Sequence, residues 1–195
     1  MQRTFLRKLM IVGVTLILLS FSIISVVFIA RAKQNSPYIM TNQIPPLVSR
    51  AHLVGPADAQ QQLNLSVGLQ LRNRQELTNL LSDLYNPRSS LYHHFLTPQE
   101  FVAEFGPSAD QVQQVETYLR QQGLAITNVA PNGLLIDASS TVAQAEAAFQ
   151  VTINNYTLGT NGFYANANAP VIPGALSSLI TSIGGLDNSV KLHPL

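Results

Sequence analysis

The sequence predicts an α+β domain in which helices cover one face of an antiparallel sheet, preceded by an apolar N-terminal transmembrane or signal helix. Three observations support this fold class. Apolar and polar residues alternate over residues 63–71, which is typical of a half-buried strand. Thr97 and Ser108 are each followed three positions later by Glu or Gln, a pattern that begins helices. Pro131-Asn132-Gly133 separates two short apolar runs and indicates a hairpin turn.

Apolar spacing defines the first strand and the first helix. The alternating apolar residues of the strand are Leu63, Leu65, Val67, Leu69 and Leu71. The next apolar set has the i, i+3, i+4, i+7 spacing of one helical face and consists of Leu77, Leu80, Leu81 and Leu84. Asn86-Pro87 follows and ends this helix. We expect the strand and this helical face to pack in the core.

Two capped helices come next. Thr97 with Glu100 forms a capping box, and the helix it begins should run to about Phe105, where Gly106-Pro107 ends it. Ser108 with Gln111 forms a second box and begins another helix. Its buried face should consist of Val112, Val115, Tyr118 and Leu119, and Gly123 is placed to cap its end in a left-handed conformation.

The remaining segments complete a recognisable order. Two short strands flank the Pro131-Asn132-Gly133 turn, and Thr141 caps a further helix. Its inward positions are Val142, Ala145, Ala148 and Phe149. A strand over residues 151–158 turns at Asn161-Gly162, and a short helix over residues 175–181 precedes a last strand. This β-α-β-β-α-β order predicts a ferredoxin-like sandwich.

The N-terminus predicts export or anchoring. Arg3, Arg7 and Lys8 precede an uncharged apolar stretch that extends from Leu9 to Ala30, long enough to span a bilayer. That length favours an uncleaved anchor, whereas the small residues flanking Arg31 resemble a signal-peptide cleavage site near Ala32. Both alternatives place residues 33–195 outside the cytoplasm, either membrane-anchored or secreted.

Four regions follow from these patterns: a leader over residues 1–32, a linker with Pro, Asn and Gln over residues 33–51, a domain over residues 52–188, and a tail over residues 189–195. The whole chain is 46% hydrophobic and 11% charged, and it has no cysteine. Beyond the leader there are 7 basic and 10 acidic residues, which disfavours a nucleic-acid partner. The lack of cysteine excludes disulfides and thiolate metal sites, and no cofactor is expected.

The most suggestive chemical pair is His93-His94. Adjacent side chains of an extended segment point in opposite directions, so a shared metal is not expected. We expect one packed, hydrogen-bonded histidine and one exposed neighbour, and a proton-sensing role remains open because histidine titrates near neutrality. No Gly-x-Ser-x-Gly elbow or glycine-rich phosphate loop occurs, so no catalytic residue is assigned.

Residues 84–101, Leu-Tyr-Asn-Pro-Arg-Ser-Ser-Leu-Tyr-His-His-Phe-Leu-Thr-Pro-Gln-Glu-Phe, are followed by Phe105-Gly106-Pro107-Ser108. Together they closely resemble the activation prodomain of the sedolisin/kumamolisin serine-carboxyl peptidases. The run over residues 141–149 and the Gly185-Leu186-Asp187-Asn188 ending are similar as well, so the resemblance covers about residues 52–188. Its signature residues are Tyr92, His93, His94, Phe95, Leu96, Thr97, Phe101, Phe105 and Gly106.

The resemblance implies a fold similar to that of subtilisin propeptides. It also implies a domain that helps a peptidase to fold and blocks its active site until acid releases it. The Ser-Gly-Thr-Ser segment that carries the family nucleophile has no counterpart here, so this chain is not expected to be an enzyme. The family's calcium loop has no counterpart either.

Three functions are therefore considered. The first is a non-catalytic prodomain that inhibits or chaperones an exported acid peptidase in trans. The alternatives are the N-terminal fragment of a split or truncated peptidase precursor, and a membrane-tethered module that reuses the scaffold for another partner. In the first case the sheet would pack on the peptidase, and the cleft would receive a tail containing Leu186, Asp187, Asn188, Lys191 and Leu192. The candidate pH sensors are His93 and His94, with His52 and His193 as further titratable groups.

Overall fold

The structure is a computed structural model that describes residues 36–41 and 43–190. The predicted apolar span between Leu9 and Ala30 lies outside the described residues, as do Lys191 and Leu192. Of the described residues, those within 38–172 and 176–190 belong to one compact unit, and residues 36–37 and 173–175 belong to another. None of the helices in the described part of the chain is long and apolar enough to cross a bilayer.

Helices and antiparallel sheets make up the large unit, which confirms the α+β class. The helices are α1 (Arg74–Leu84), α2 (Pro98–Phe105), α3 (Ala109–Gln121) and α4 (Val142–Phe149), and short 3-10 turns span Pro46–Arg50 and Gly174–Leu176. The strands are β1 (Pro37–Ile39), β2 (His52–Pro56), β3 (Gln62–Leu69), β4 (Ala125–Val129), β5 (Leu135–Thr141), β6 (Ile153–Leu158), β7 (Asn161–Asn166), β8 (Val171–Pro173) and β9 (Ile180–Gly184).

The main sheet has the strand order β4-β5-β3-β9, and all of its pairs are antiparallel. Val67 of β3 pairs with Ile136 on one side and with Ile183 on the other. All three side chains are buried. The period-two prediction for this strand is confirmed, because the apolar positions from Leu63 to Leu69 are buried and the intervening ones are not.

Two helices supply much of the rest of the core. From α3 come Val115 and Leu119, and from α4 come Val142, Ala145, Ala148 and Phe149. The helices are joined by the Tyr118 hydroxyl, which donates to the Ala148 carbonyl at 2.6 Å. Burial of that hydroxyl raises the pKa of Tyr118 to about 12.

Capping boxes begin three of the helices. Thr97 with Glu100 and Ser108 with Gln111 confirm the two predicted boxes. Gly123 has the predicted positive φ of 82°. Thr141 caps α4 as predicted, and its box is completed by Gln144, a partner that the sequence reading missed.

A second sheet has the order β2-β6-β7. Its buried cluster consists of Tyr156, Phe163 and Ala165, with Leu47, Val48 and Ala51 packed against it. The predicted turn at Asn161-Gly162 is wrong, because both residues belong to β7 and the turn lies at Gly159-Thr160. Gly159 has a φ of 62°, a conformation that glycine adopts without strain.

Three other predictions differ from the structure. Residues 38–50 are not a plain spacer, since they form β1 and a 3-10 turn and Met40 is buried in the main core. The short helix predicted over residues 175–181 is instead a 3-10 turn followed by β9. The predicted apolar face of α1 is only partly covered, because Leu84 is buried, Leu77 and Leu80 are half-buried and Leu81 is 48% exposed.

Candidate functional site

Residues 85–97, which include the first part of the signature, form a hydrogen-bonded loop between α1 and α2. The Asn86 side-chain oxygen accepts from the Arg88 amide at 3.0 Å, and the Ser89 hydroxyl accepts from the Leu91 amide at 3.1 Å. The His93 amide donates to the Leu84 carbonyl at 3.0 Å, which ties the loop back to the end of α1. These bonds fix the loop's backbone.

The C-terminal part of the signature has structural roles inside the domain. Thr97 accepts from the Glu100 amide, and the Glu100 carboxylate accepts from the Thr97 amide and hydroxyl, both at 2.8 Å. These bonds to the charged form hold the pKa of Glu100 below its usual value. Phe105 is fully buried, and a Cβ added at Gly106 would lie 2.6 Å from the Val102 carbonyl oxygen.

The N-terminal part of the signature has no such roles. Tyr92, His93, His94 and Phe95 are all exposed, and Leu96 is half-buried. The expectation of one packed histidine is therefore wrong. The cause is local geometry, since the pair lies in a turn in which His93 has a φ of 61° rather than in an extended segment.

Rings from this loop stack on one another at the surface. The centroids of Tyr92 and His93 lie 3.8 Å apart, and those of His93 and Phe95 lie 6.0 Å apart. Tyr85 meets Phe95 edge-on at 6.3 Å. Within residues 36–41 and 43–190, no group of three or more His, Asp or Glu side chains is placed to hold a metal ion.

The face of the main sheet opposite the core is small and polar. We call it the outer sheet face and define it by Asn64, Ser66, Gly68, Ala125, Asn128, Leu135, Asp137, Ser139, Ser182 and Gly184. Strand alternation directs these positions away from the buried leucines of β3. Apart from Leu135, no side chain of this set is bulky and apolar, so a partner could approach its backbone closely.

Asp137 lies within the outer sheet face, opposite Ser66. Its carboxylate accepts from the Ser66 hydroxyl at 2.6 Å and from the Asn128 side-chain amide at 3.2 Å. Both hydrogen bonds lower the pKa of Asp137. The sequence could not identify these partners, because they depend on strand register between distant segments.

The start of the predicted tail is part of the domain. Leu186 is buried in the main core. Asn188 is held on β7, where its side-chain oxygen accepts from the Tyr164 amide at 2.7 Å and its own amide donates to the Tyr164 carbonyl at 3.1 Å. Asp187 accepts from the amide and hydroxyl of Ser189. A free tail could therefore begin only after Ser189.

A tight turn precedes this segment. Gly185 has a φ of 88°, and a Cβ added there would lie 2.0 Å from the Asn64 carbonyl oxygen of β3. The Tyr164 hydroxyl donates to the Gly185 carbonyl at 3.3 Å. Burial, with a smaller contribution from Asp187, raises the pKa of Tyr164. The end of β9 is thus packed directly against the backbone of β3.

Comparison with known proteins agrees with the signature. The family model described as "Pro-kumamolisin, activation domain" matches residues 49–189. Xanthomonalisin from Xanthomonas sp. (strain T-22) is 35% identical over 138 residues, which is 71% of this chain and 17% of that protein. Sedolisin from Pseudomonas sp. (strain 101) is 32% identical over 132 residues, which is 68% of this chain and 22% of that protein.

A more distant relative extends the comparison. Tripeptidyl-peptidase 1 from Dictyostelium discoideum is 25% identical over 135 residues, which is 68% of this chain and 22% of that protein. The chain thus spans less than a quarter of the length of these relatives. On the extent of the family match, the chain belongs to the pro-kumamolisin activation-domain family.

Proposed function

We propose that this chain is a non-catalytic prodomain that binds a sedolisin-type peptidase domain, inhibits it and assists its folding. The observation that carries the proposal is the family match over residues 49–189. Tripeptidyl-peptidase 1, a relative named as a peptidase, shares this region as 22% of its length, and in xanthomonalisin and sedolisin the region is a similarly small part. The alternative that the chain is the N-terminal piece of a longer precursor involves the same contact, made within one polypeptide.

The outer sheet face is the proposed docking surface. One face of the main sheet is filled by α3 and α4, whereas the other carries mainly serine, glycine, asparagine and the Asp137 carboxylate. Small side chains permit close packing of a partner's helices on the sheet, as interface cores require. Residues after Ser189, including Lys191 and Leu192, would continue from this domain toward the peptidase cleft.

Fold details finer than the α+β class are also part of the proposal. The strand order β4-β5-β3-β9 and the antiparallel pairing support a ferredoxin-like sandwich. Residues 1–32 are proposed as a basic leader with an anchor or signal segment between Leu9 and Ala30, joined to the domain by residues 33–51, which include β1 and a 3-10 turn. The domain over residues 52–188 and the tail after it would then lie outside the cytoplasm.

Acid is proposed to release the complex, with His93 and His94 as sensors. Both rings are exposed, so protonation would add positive charge directly to the surface of the loop. A double substitution of His93→Gln and His94→Gln should change the pH at which inhibition is lost. An unchanged pH profile would show that the sensors lie elsewhere.

Inhibition in trans tests the docking proposal. The full chain is mixed with a purified sedolisin-type peptidase, and residual activity is followed against the concentration of the chain. Ser139→Arg places a bulky charge on the outer sheet face and should weaken inhibition at least tenfold, whereas Thr160→Arg, on the exposed turn between β6 and β7, should not. If the unmodified chain neither inhibits the peptidase nor speeds its refolding, the proposal is refuted.

If the full chain binds another protein in membranes and does not bind peptidases, the third hypothesis, a membrane-tethered module with a different partner, is favoured instead. Pull-down from membranes distinguishes these cases.

A further inference from the structure

The structure carries an exposed apolar surface around the end of α1, distinct from the outer sheet face. We call it the aromatic patch, and its members are Leu81, Tyr85, Leu91, Tyr92 and Phe95. We infer that the aromatic patch is a second contact surface for the peptidase domain. The patch fits into an apolar pocket of that domain whose rim carries carboxylates. This inference rests on the proposed function.

Ring contacts and helical spacing connect the members of the patch other than Leu91. Leu81 precedes Tyr85 by one helical turn, which places both on the same side of the chain as α1 ends. Tyr85 contacts Phe95, and the His93 ring lies between Tyr92 and Phe95. A connected group of large apolar side chains on a surface marks an interaction site, whereas isolated ones do not.

The exposure of these side chains is large. Tyr85 is 69% exposed and Phe95 is 60% exposed, although their rings meet. The loop does not fold its aromatic residues into the main core, and from α1 only Leu84 is buried. Of the apolar face of α1, Leu81 is thus the position left for another molecule to cover.

The patch is also preorganised. Hydrogen bonds from the amides of Arg88, Leu91 and His93 hold the loop in one conformation. His93 has a φ of 61°, a conformation that a residue with a Cβ adopts at a cost in energy. A loop whose backbone is braced in this way pays less backbone ordering cost on binding, which favours affinity.

The signature residues divide according to what they contact. Thr97 caps α2, and Phe105 lies in the domain interior, so their roles are internal. Tyr92 and Phe95 belong to the same signature and contact other loop rings at the surface. A role in contacting a partner accounts for them, and aromatic anchors are characteristic of the energetic centres of protein interfaces.

Two observations favour a peptidase domain as the occupant. The relatives continue well beyond the matched region, since that region is only 17% of xanthomonalisin and 22% of sedolisin. A domain of this family is therefore joined to a much larger polypeptide in those proteins. A partner joined to the same polypeptide is present at a high local concentration, which favours contact with an exposed apolar surface.

Charge indicates the character of the pocket. Residues 85–99 contain Arg88, His93 and His94 and no carboxylate, although acidic residues outnumber basic ones over residues 33–195. Arg88 is thus the one formally charged side chain of the loop, and its charge is opposite to the net charge of residues 33–195. A pocket with aspartate or glutamate at its rim would complement it and suppress wrong partners.

Inhibition by matched variants is the first test. Phe95→Ala and Tyr92→Ala remove exposed rings, so urea unfolding and circular dichroism should match those of the unmodified full chain. Each should weaken inhibition of a sedolisin-type peptidase at least tenfold. Val54→Ala is the control, since Val54 of β2 is 62% exposed and lies outside the patch.

The outcomes separate the two proposals. Inhibition by the unmodified chain with unchanged inhibition by both patch variants overturns the inference and leaves the proposed function intact. Absence of inhibition by the unmodified chain overturns both. Selective loss in the patch variants supports both.

A direct probe identifies the occupant. The chain has no tryptophan, so Phe95→Trp labelled with 5-fluorotryptophan gives a single fluorine signal in the patch. That signal should shift when the peptidase is added, and the same label at Val54 should not. A shift caused by raising the concentration of the chain alone, or by phosphatidylcholine vesicles, with none caused by the peptidase, assigns the patch to a second copy or to lipid and overturns the inference.

Discussion

Substitution of Gly185 by alanine tests whether the end of β9 closes directly on β3. The backbone there has a φ of 88°, which costs a residue with a Cβ about 1–2 kcal/mol. The added Cβ would also lie 2.0 Å from the Asn64 carbonyl oxygen, far inside contact distance. Because that atom is backbone within a paired strand, the chain after β9 must move away.

The cost of that movement follows from what it disrupts. Loss of one hydrogen bond between β3 and β9 costs about 1 kcal/mol. Partial exposure of Leu186, which is buried in the core, adds about 1–2 kcal/mol. With the backbone term, Gly185→Ala should lower the free energy of unfolding by about 3–5 kcal/mol, against a total of ~5–15 kcal/mol for a typical domain.

A matched control separates the two causes. Gly159 also has a positive φ, but an added Cβ there meets nothing within 4 Å. Gly159→Ala should therefore cost only the backbone term of about 1–2 kcal/mol. Urea unfolding followed by circular dichroism measures both, with the dependence of the free energy on urea expected to be unchanged. Equal losses in the two variants would refute the close approach of β9 to β3.

Three further predictions concern the core and the titratable groups. Val67→Ala should lower the free energy of unfolding by about 2–4 kcal/mol, because Val67 is fully buried. Leu80→Ala should lower it by about 1 kcal/mol, because Leu80 is only half-buried. Similar losses for the two variants in urea unfolding would contradict this packing. Tyr118→Phe leaves the Ala148 carbonyl without its donor and should cost about 1–3 kcal/mol. Since burial raises the pKa of Tyr118 from 10.0 to about 12, its contribution is full below pH 10 and lost as the pH rises toward 12. The free energy of unfolding of the unmodified chain should therefore fall between pH 10 and about 12, and this fall should be absent in Tyr118→Phe. The pKa of Asp137 is lowered in the fold, so its contribution is present above its ordinary pKa and lost as the pH falls. Asp137→Asn should flatten the acid limb of the stability curve, and an unchanged limb would show that other groups cause it.

Local signals account for what the sequence predicted well. A capping box such as Thr97 with Glu100 needs only four consecutive residues, so it forms wherever the helix begins. The alternation around Val67 likewise reports burial of one face of a strand irrespective of its neighbours. The three predicted helix starts and the central strand were therefore accessible from the sequence.

Non-local geometry accounts for what it missed. The hydrogen bond from Ser66 to Asp137 joins residues 71 positions apart and depends on strand register. The apolar spacing of α1 predicts an amphipathic helix but not whether another element covers it. The exposure of His93 depends on a left-handed turn, a conformation that non-glycine residues adopt rarely and that no local spacing predicts.

The start of α1 shows the same limit. Asn73 precedes this helix in a left-handed conformation and makes no side-chain cap. Its side-chain amide instead donates to the Glu104 carbonyl at 3.0 Å, and Arg72 donates to carbonyls at the end of α2. Tertiary contacts therefore determine where α1 begins, and no local capping motif predicts its first residue.

The central position of β3 has a consequence for how the domain folds. One neighbour of β3 is β5, and its other neighbour, β9, is joined to it by a hydrogen bond from Thr181 to Gly68 across 113 positions of sequence. Such long-range pairing gives a high contact order, and domains of this kind fold slowly. During synthesis, β3 keeps one unpaired edge until residue 184 has emerged, and an unpaired edge invites aggregation. Closure of the main sheet is therefore a late step in the folding of this domain.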